Sequence, residues 1–494
     1  MLLIRRNPVL ALLLVVLVAA GAGVWLMAGA GGEADRRHVV VDGVPLDEVH
    51  PPIVPGLRRP AVVIAHGFAG SALLMAQLGD SLAARGHVVV LLDFTGHGAN
   101  RRHLPDSAAS TGASTDALQR DLGTALSHLR GLPDVDPGRV ALVGHSMGAT
   151  AVTRYAVAHP EITATVAMSL PDASTVSPDR PQRLLLLVGG LEFPAFHAEA
   201  ERAAQGADRS MVVVPGVEHI SILYAPRAHR EIAVWLGDGS ADPAMPSPLR
   251  RVCGAAILLL SLLAGLYPLA RLLFGEARGS WPRRLPRQVG YLAVLAAAAT
   301  AVAALLAAVL PSQDLPLALG GYIVGFTATA GVGILGYLRW RGPIFPVSQT
   351  RTEAGPLRLA VAAIVLIGYA AAAIAVPLHL GLTHALPVGD RWWLLPLVWA
   401  GFALFAYATE RVAAGNSIGV LTVSAVAVIA LTWAAVVGLT SSFLLLVVPL
   451  FAILSLWQAI WSAVLHRFSA PPWLIALVGS LVIAWPIATA LPLG

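Results

Sequence analysis

RVALVGHSMGATAVTRYAVA, residues 139–158, is the stretch on which the reading of this chain turns. Its opening run, Arg139 to Val143, is short, apolar and closed by glycine, the pattern of a strand buried on both faces of a sheet. Its closing run, Ala149 to Ala158, has helical patterning. Between them, Gly144-His145-Ser146-Met147-Gly148 fits G-x-S-x-G. In that motif a sharp strand-to-helix turn lifts a serine clear of the backbone, and the glycines leave room for the neighbouring strand and helix. Five residues with three fixed positions arise by chance, so the strand before and the helix after carry the weight. They make Ser146 the candidate nucleophile.

Outward from this turn the same alternation continues. Ala61–Ala65, Val88–Leu92, Val140–Val143, Thr165–Leu170, Leu184–Val188 and Met211–Val214 read as buried strands. Leu73 to Arg85 and Asp116 to Arg130 read as amphipathic helices between them. Strands alternating with helices at this spacing imply an α/β fold, a mostly parallel sheet with helices on both faces. The segment from His38 to Asp238, about 200 residues, is long enough to bury such a core.

His66-Gly67-Phe68-Ala69-Gly70-Ser71 follows the first strong strand, and with the elbow around Ser146 it makes this segment resemble the α/β-hydrolase superfamily of serine hydrolases. The resemblance covers about 200 residues and is specific at superfamily level. It implies an oxyanion hole built from the backbone N–H groups of Phe68 and Met147. It places the general base at His219, after the strand Met211–Val214, and the acid at Glu192, in the turn Gly189-Gly190-Leu191-Glu192. The chain order serine, acid, histidine fits the fold. Asp172, after the preceding strand, is the alternative acid, and Glu218 adjoins the base. Asp93 and His97 precede the nucleophile and read as loop scaffolding, as does His66. Only about a dozen residues separate Leu170 from Arg183, too few for a large lid.

Composition divides the rest. The chain has 494 residues, 56% hydrophobic and 12% charged, against about 45–50% apolar and 25% charged for soluble proteins, so part of it is expected in a membrane. Every basic side chain apart from histidine is arginine, which together with the Ala, Gly, Pro and Val content reads as a bacterial coding bias. Residues 1–32, with Arg5-Arg6 before an apolar run from Val9 to Ala28, read as a signal anchor or signal peptide. Residues 239–250 read as a linker, and 251–494 as about eight transmembrane helices. Arginine concentrates in the loops 278–287 and 339–358, which the positive-inside rule makes cytoplasmic. Counting spans back then puts the hydrolase segment outside the cytoplasm, as Arg5-Arg6 also do. Glu410-Arg411 reads as an ion pair at the inner boundary. His379, His384, Asp390, Arg391, Trp392 and Trp393 read as an outer interfacial belt.

The basic excess is a topology signal and not a nucleic-acid surface. The single cysteine, Cys253, excludes an internal disulfide. Nothing in the residues indicates a metal or an organic cofactor. The reading is therefore a membrane-embedded, extracytoplasmic serine hydrolase acting on an acyl ester, with lipids and cell-envelope esters within reach. Acyl transfer by the same residues is the nearest alternative, and a transporter or scaffold carrying a hydrolase-fold binding module is the more distant one. Sequence leaves the oligomeric state open.

Overall fold

The computed structural model describes residues 8–52, 54–105, 112–237, 245–277, 288–344 and 355–494. They divide into two compact units: one made of 22–256, 378–389 and 492–494, the other of 1–21, 257–377 and 390–491.

The first unit holds an eight-stranded sheet: β1 Asp35–Val41, β2 Val44–His50, β3 Arg59–Ala65, β4 Val88–Leu92, β5 Val135–His145, β6 Ala164–Met168, β7 Leu184–Gly189 and β8 Arg209–Val214. The spatial order is β1-β2-β4-β3-β5-β6-β7-β8. β1 pairs with β2 and β2 with β4 in antiparallel fashion, and the remaining pairs are parallel. Because β1 begins at Asp35, the expected segment start at His38 falls inside a strand. The β1–β2 hairpin was not anticipated: Asp35-Arg-Arg-His-Val-Val-Val41 is largely exposed at the sheet edge, so it lacks the apolar run that marks the interior strands.

Successive strand residues pack on opposite faces of the sheet. Val62 and Ile64 face Met75, Leu78 and Leu82 at the helix α2 (Ala76–Ala84, preceded by a short 3₁₀ turn from Ala72) and Ile232 on another helix, Pro226–Leu236. Ala61, Val63 and Ala65 face Leu118, Leu122 and Leu126 on α3 (Gly112–Gly131) and Val152 on α4 (Met147–Ala158). Helices thus cover both faces, which is why the strands are apolar throughout rather than alternating. Each fully buried leucine or valine of these layers contributes roughly 1.5–3 kcal/mol.

The chain leaves β3 toward β4 on one side, and β5 lies on the other. The strand order reverses there, and the carboxyl ends of β3 and β5 at such a reversal are the position where sheets of this kind bind ligands.

The second unit is helical. Among the described residues, nine helices of the chain are long and apolar enough to cross a membrane: α1 (Pro8–Ala28), then, numbered in chain order after the soluble α5 (Pro194–Ala203) and α6 (Pro226–Leu236), α7 (Leu249–Phe274), α8 (Val289–Ala307), α9 (Gly320–Arg341), α10 (Pro356–Gly381), α11 (Arg391–Ala413), α12 (Ser417–Val436), α13 (Leu444–Arg467) and α14 (Pro472–Ala490). α7 begins at Leu249, inside the stretch read as linker, while residues 238–244 lie outside the described residues. So do the arginine-rich loop 278–287 and residues 345–354 of the second. Several polar groups among these helices are paired. Arg391, fully buried, donates to the carbonyl of Leu491 at 3.0 Å. Glu410 does not pair with Arg411 as expected. Neighbours in a helix point about 100° apart, and Glu410 instead meets His466 at 2.7 Å while Arg411 donates to the Tyr407 hydroxyl.

Candidate active site

β5 runs straight into the turn that carries Ser146. The serine has φ 54° and ψ −120°, a combination non-glycine residues avoid. The flanking glycines are there for space. A Cβ on Gly144 would run into the carbonyl of Gly148, and one on Gly148 would sit 2.5 Å from the carbonyl oxygens of Ala65 and His66. The Ser146 N–H donates to the Met168 carbonyl at 2.9 Å, fixing the turn against β6.

Ser146 Oγ lies 3.0 Å from His219 Nε2, and His219 Nδ1 lies 3.3 Å from Glu192 Oε2. All three side chains are buried. The other carboxylate oxygen of Glu192, Oε1, accepts from Ser169 Oγ at 2.5 Å and from the Gly189 N–H at 3.0 Å. Asp172 is not brought to this cluster. Its two oxygens accept from the N–H and hydroxyl of Ser174, in a partly exposed turn. Glu218 is likewise engaged elsewhere, accepting from the N–H groups of Ile220 and Ser221.

Three residues that sequence reasoning missed support the cluster. Ser169, directly after β6 and at φ 53°, anchors Glu192. Phe196, on α5, packs its ring 4.7 Å from that of His219. His145 donates from Nε2 to the main-chain carbonyl of His219 at 2.8 Å. Burial pushes the His145 pKa down to about 3, with the neighbouring His219 acting in the same direction, so the ring stays neutral and holds its proton on Nε2. A positive φ or a ring contact leaves no mark on hydropathy, so only the strand-end position of Ser169 was visible beforehand.

The loop after β3 lies beside the elbow. Gly70 N–H donates to the Gly67 carbonyl at 3.0 Å, and Ala69 sits at φ 58°, so 67–70 forms a tight turn. Phe68 and Met147 are both half-buried, and Met147 opens α4, where main-chain N–H groups have no helical partner. His66 is structural as expected: Nδ1 meets the Gly67 carbonyl and Nε2 accepts the Phe94 N–H at 3.2 Å. Burial lowers its pKa to about 4. Asp93 is scaffolding too, accepting from the N–H groups of Ala72 and Ala99 at 2.7 and 2.8 Å. Burial raises its pKa to about 6, against those two hydrogen bonds.

A family model described as serine aminopeptidase, S33 matches residues 57–217. An uncharacterized protein of Mycobacterium tuberculosis is 32% identical to this chain over 211 residues, covering 37% of this chain and 72% of that protein. The chain belongs to the S33 serine hydrolase family. Cutinase 2 of Thermobifida cellulosilytica is 30% identical to this S33 hydrolase over 110 residues, or 22% of the chain and 38% of the cutinase. Among solved structures, the dienelactone hydrolase of Anabaena variabilis aligns with a TM-score of 0.33 and 23% identity over 41% of this chain and 94% of its own. A soluble variant of monoglyceride lipase from Saccharomyces cerevisiae aligns with a TM-score of 0.32 and 14% identity over 42% and 96%.

Proposed function

We propose that this S33 hydrolase is embedded in a membrane, faces away from the cytoplasm, and cleaves an ester or related acyl bond through an acyl-enzyme on Ser146. The observation that carries the chemistry is the 3.0 Å approach of His219 Nε2 to Ser146 Oγ at the elbow. In this reading Ser146 Oγ attacks the acyl carbon as its proton passes to His219. The imidazolium then hands that proton to the departing alkoxide. Water, deprotonated by the same nitrogen, releases the acid and restores the serine. Glu192 holds the ring with Nδ1–H toward it and stabilises the imidazolium. Phe68 and Met147 supply the N–H groups for the tetrahedral oxyanion.

Arginine distribution alone bears on which side the hydrolase segment faces, and span counting bears on which stretches share that side. If each apolar helix crosses the membrane, the four helices α7–α10 separate residues 29–248 from the loop 382–390, and the four helices α11–α14 separate that loop from residues 491–494. Even numbers return the chain to one side. Residues 29–248, 382–389 and 492–494 also belong to a single compact unit. A lipid-borne ester suits the site: Leu191, Phe193 and Ile220, next to Glu192 and His219 in sequence, are 68%, 53% and 40% exposed. No helix forms in the described stretch between β6 and β7 to cover the carboxyl end of the sheet. The partial likeness to a cutinase agrees with an esterase.

An impermeant fluorophosphonate applied to intact cells tests both parts. It should label the parent protein and not Ser146→Ala, because the attacking atom is gone even where residual turnover survives. Equal labelling of Ser146→Ala would move the nucleophile. Labelling only after lysis would put the site in the cytoplasm. A lipid extract incubated with both proteins then identifies the ester consumed by the parent alone.

A further inference from the structure

The unit that contains the sheet also takes in two stretches remote in sequence, 378–389 and 492–494, each attached to an apolar helix. Each reaches a loop beside Phe68, the proposed oxyanion donor. Ser71, three residues beyond Phe68, is buried. Its Oγ accepts the His384 N–H at 3.0 Å and the Leu74 N–H at 3.4 Å, and it lies 2.8 Å from Thr383 Oγ1. A hydroxyl has two lone pairs and one hydrogen. With both lone pairs occupied, Ser71 donates to Thr383. The loop that makes these contacts is itself tied down. Thr383 N–H returns to the Leu378 carbonyl at 2.8 Å, and Ala385 N–H donates to the His379 ring at 3.4 Å.

The second stretch acts on the loop after β4. Leu493 N–H donates to the Gly96 carbonyl at 2.8 Å, and the Leu493 carbonyl accepts from Leu104 N–H at 2.9 Å, so residue 493 bridges that loop like a short strand. Between those anchor points lies His97, whose ring packs edge-on against Phe68 with centroids 5.9 Å apart. The loop that carries Phe68 and the loop that carries His97, its ring neighbour, are thus each bonded to a segment that belongs, in sequence, to the helical half of the chain.

We propose that Thr383 is a positioning residue for the oxyanion hole, so that the loop between α10 and α11 is part of the catalytic apparatus rather than a passive connection. The inference rests on the assignment of Phe68 as an oxyanion donor. Oxyanion stabilisation depends on donors aimed where charge develops, and a small displacement weakens the transition state more than substrate binding. Thr383→Val keeps the shape and removes the acceptor of the Ser71 hydrogen. Thr383→Ser keeps it.

The test uses the full-length protein in detergent, a small activated ester and a fluorophosphonate. Thr383→Val should lose on the order of tenfold in kcat and in labelling rate, less than the 10²–10³ lost when an oxyanion donor is removed outright. KM and the thermal midpoint should stay at the parent values, and Thr383→Ser should recover the parent rates. Parent rates in Thr383→Val would overturn the proposal, as would a loss matched by a lower thermal midpoint and not recovered by serine. A parent protein that resists labelling would instead overturn the serine-hydrolase assignment itself, and the proposal with it.

Discussion

Two neighbouring strands of the sheet, β6 and β7, each end in a turn that carries a carboxylate, and the two carboxylates have opposite fates. Asp172, beyond β6, closes on its own chain and satisfies Ser174. Glu192, beyond β7, points inward, is buried, and divides its two oxygens between Ser169 and Gly189 on one side and His219 on the other. A glutamate reaches one carbon further than an aspartate. The turn at 189–192 also folds tightly, with Leu191 N–H bonded to the Val217 carbonyl just before the base. The turn after β6 is not idle, because its Ser169 anchors the acid of the other. One turn supplies the charge and its neighbour supplies the support.

The sharpest way to break this contrast is to neutralise each carboxylate. Glu192→Gln should cost about 10⁴ in turnover, the scale seen when the orienting acid of such a triad is lost and the imidazole takes the wrong tautomer. Asp172→Asn, a change in a partly exposed turn, should leave turnover at the parent level and move stability by no more than about 0.5 kcal/mol. Steady-state kinetics on an activated ester, with thermal midpoints for both proteins, decide it. Collapse in Asp172→Asn with normal turnover in Glu192→Gln would exchange the roles.

Ser169→Ala sharpens the contrast by removing only the support. A hydrogen bond to a charged group contributes about 1.5–3 kcal/mol. With the Gly189 N–H still in place, only part of that should reach the rate, about tenfold in kcat. Retention of full activity would mean that β6 lends nothing to the acid.

A further effect, on stability and not on rate, should come from acid, which loosens the frame beneath both turns. His66 and His145, at the sheet's carboxyl edge, and His229, on α6, are held neutral, burial lowering them to about 4, 3 and 4. Their folded pKa values lie below the unfolded value, so their stabilising contribution is complete above about pH 6.5 and declines as pH falls toward 4. Each costs about 1.4 kcal/mol per pH unit across that window. Asp93 opposes them. Its pKa is raised to about 6, so it adds stability on the acid side of that value. Three groups outweigh one, and the thermal midpoint of the sheet unit should fall between pH 6.5 and 4.5. An unchanged midpoint would mean that these rings are protonated in the folded protein.

Sequence by itself determined the interior of this protein. Apolar runs of strand length, helical patterning between them and glycines at the elbow were enough for the parallel sheet and for Ser146 directly after β5, because burial on two faces demands continuous hydrophobicity and a tight turn demands absent side chains. The long apolar helices were legible for the same reason. Glu192 and His219 came instead from the resemblance to the α/β-hydrolase superfamily. What only the tertiary structure decided is directional and long-range. The edge strand β1 is largely exposed, and β2, though buried, mixes Asp47, Glu48 and His50 with its apolar residues, so neither left a strand-like apolar run. The partner of Glu410 proved to be His466, 56 residues on. Ser169 and His145 bear on Glu192 and His219 through single hydrogen bonds. Thr383 meets Ser71 across 312 residues of chain. Hydropathy reports how much of a side chain leaves water, but a hydrogen bond depends on where one oxygen points, and that is fixed only when distant segments have packed.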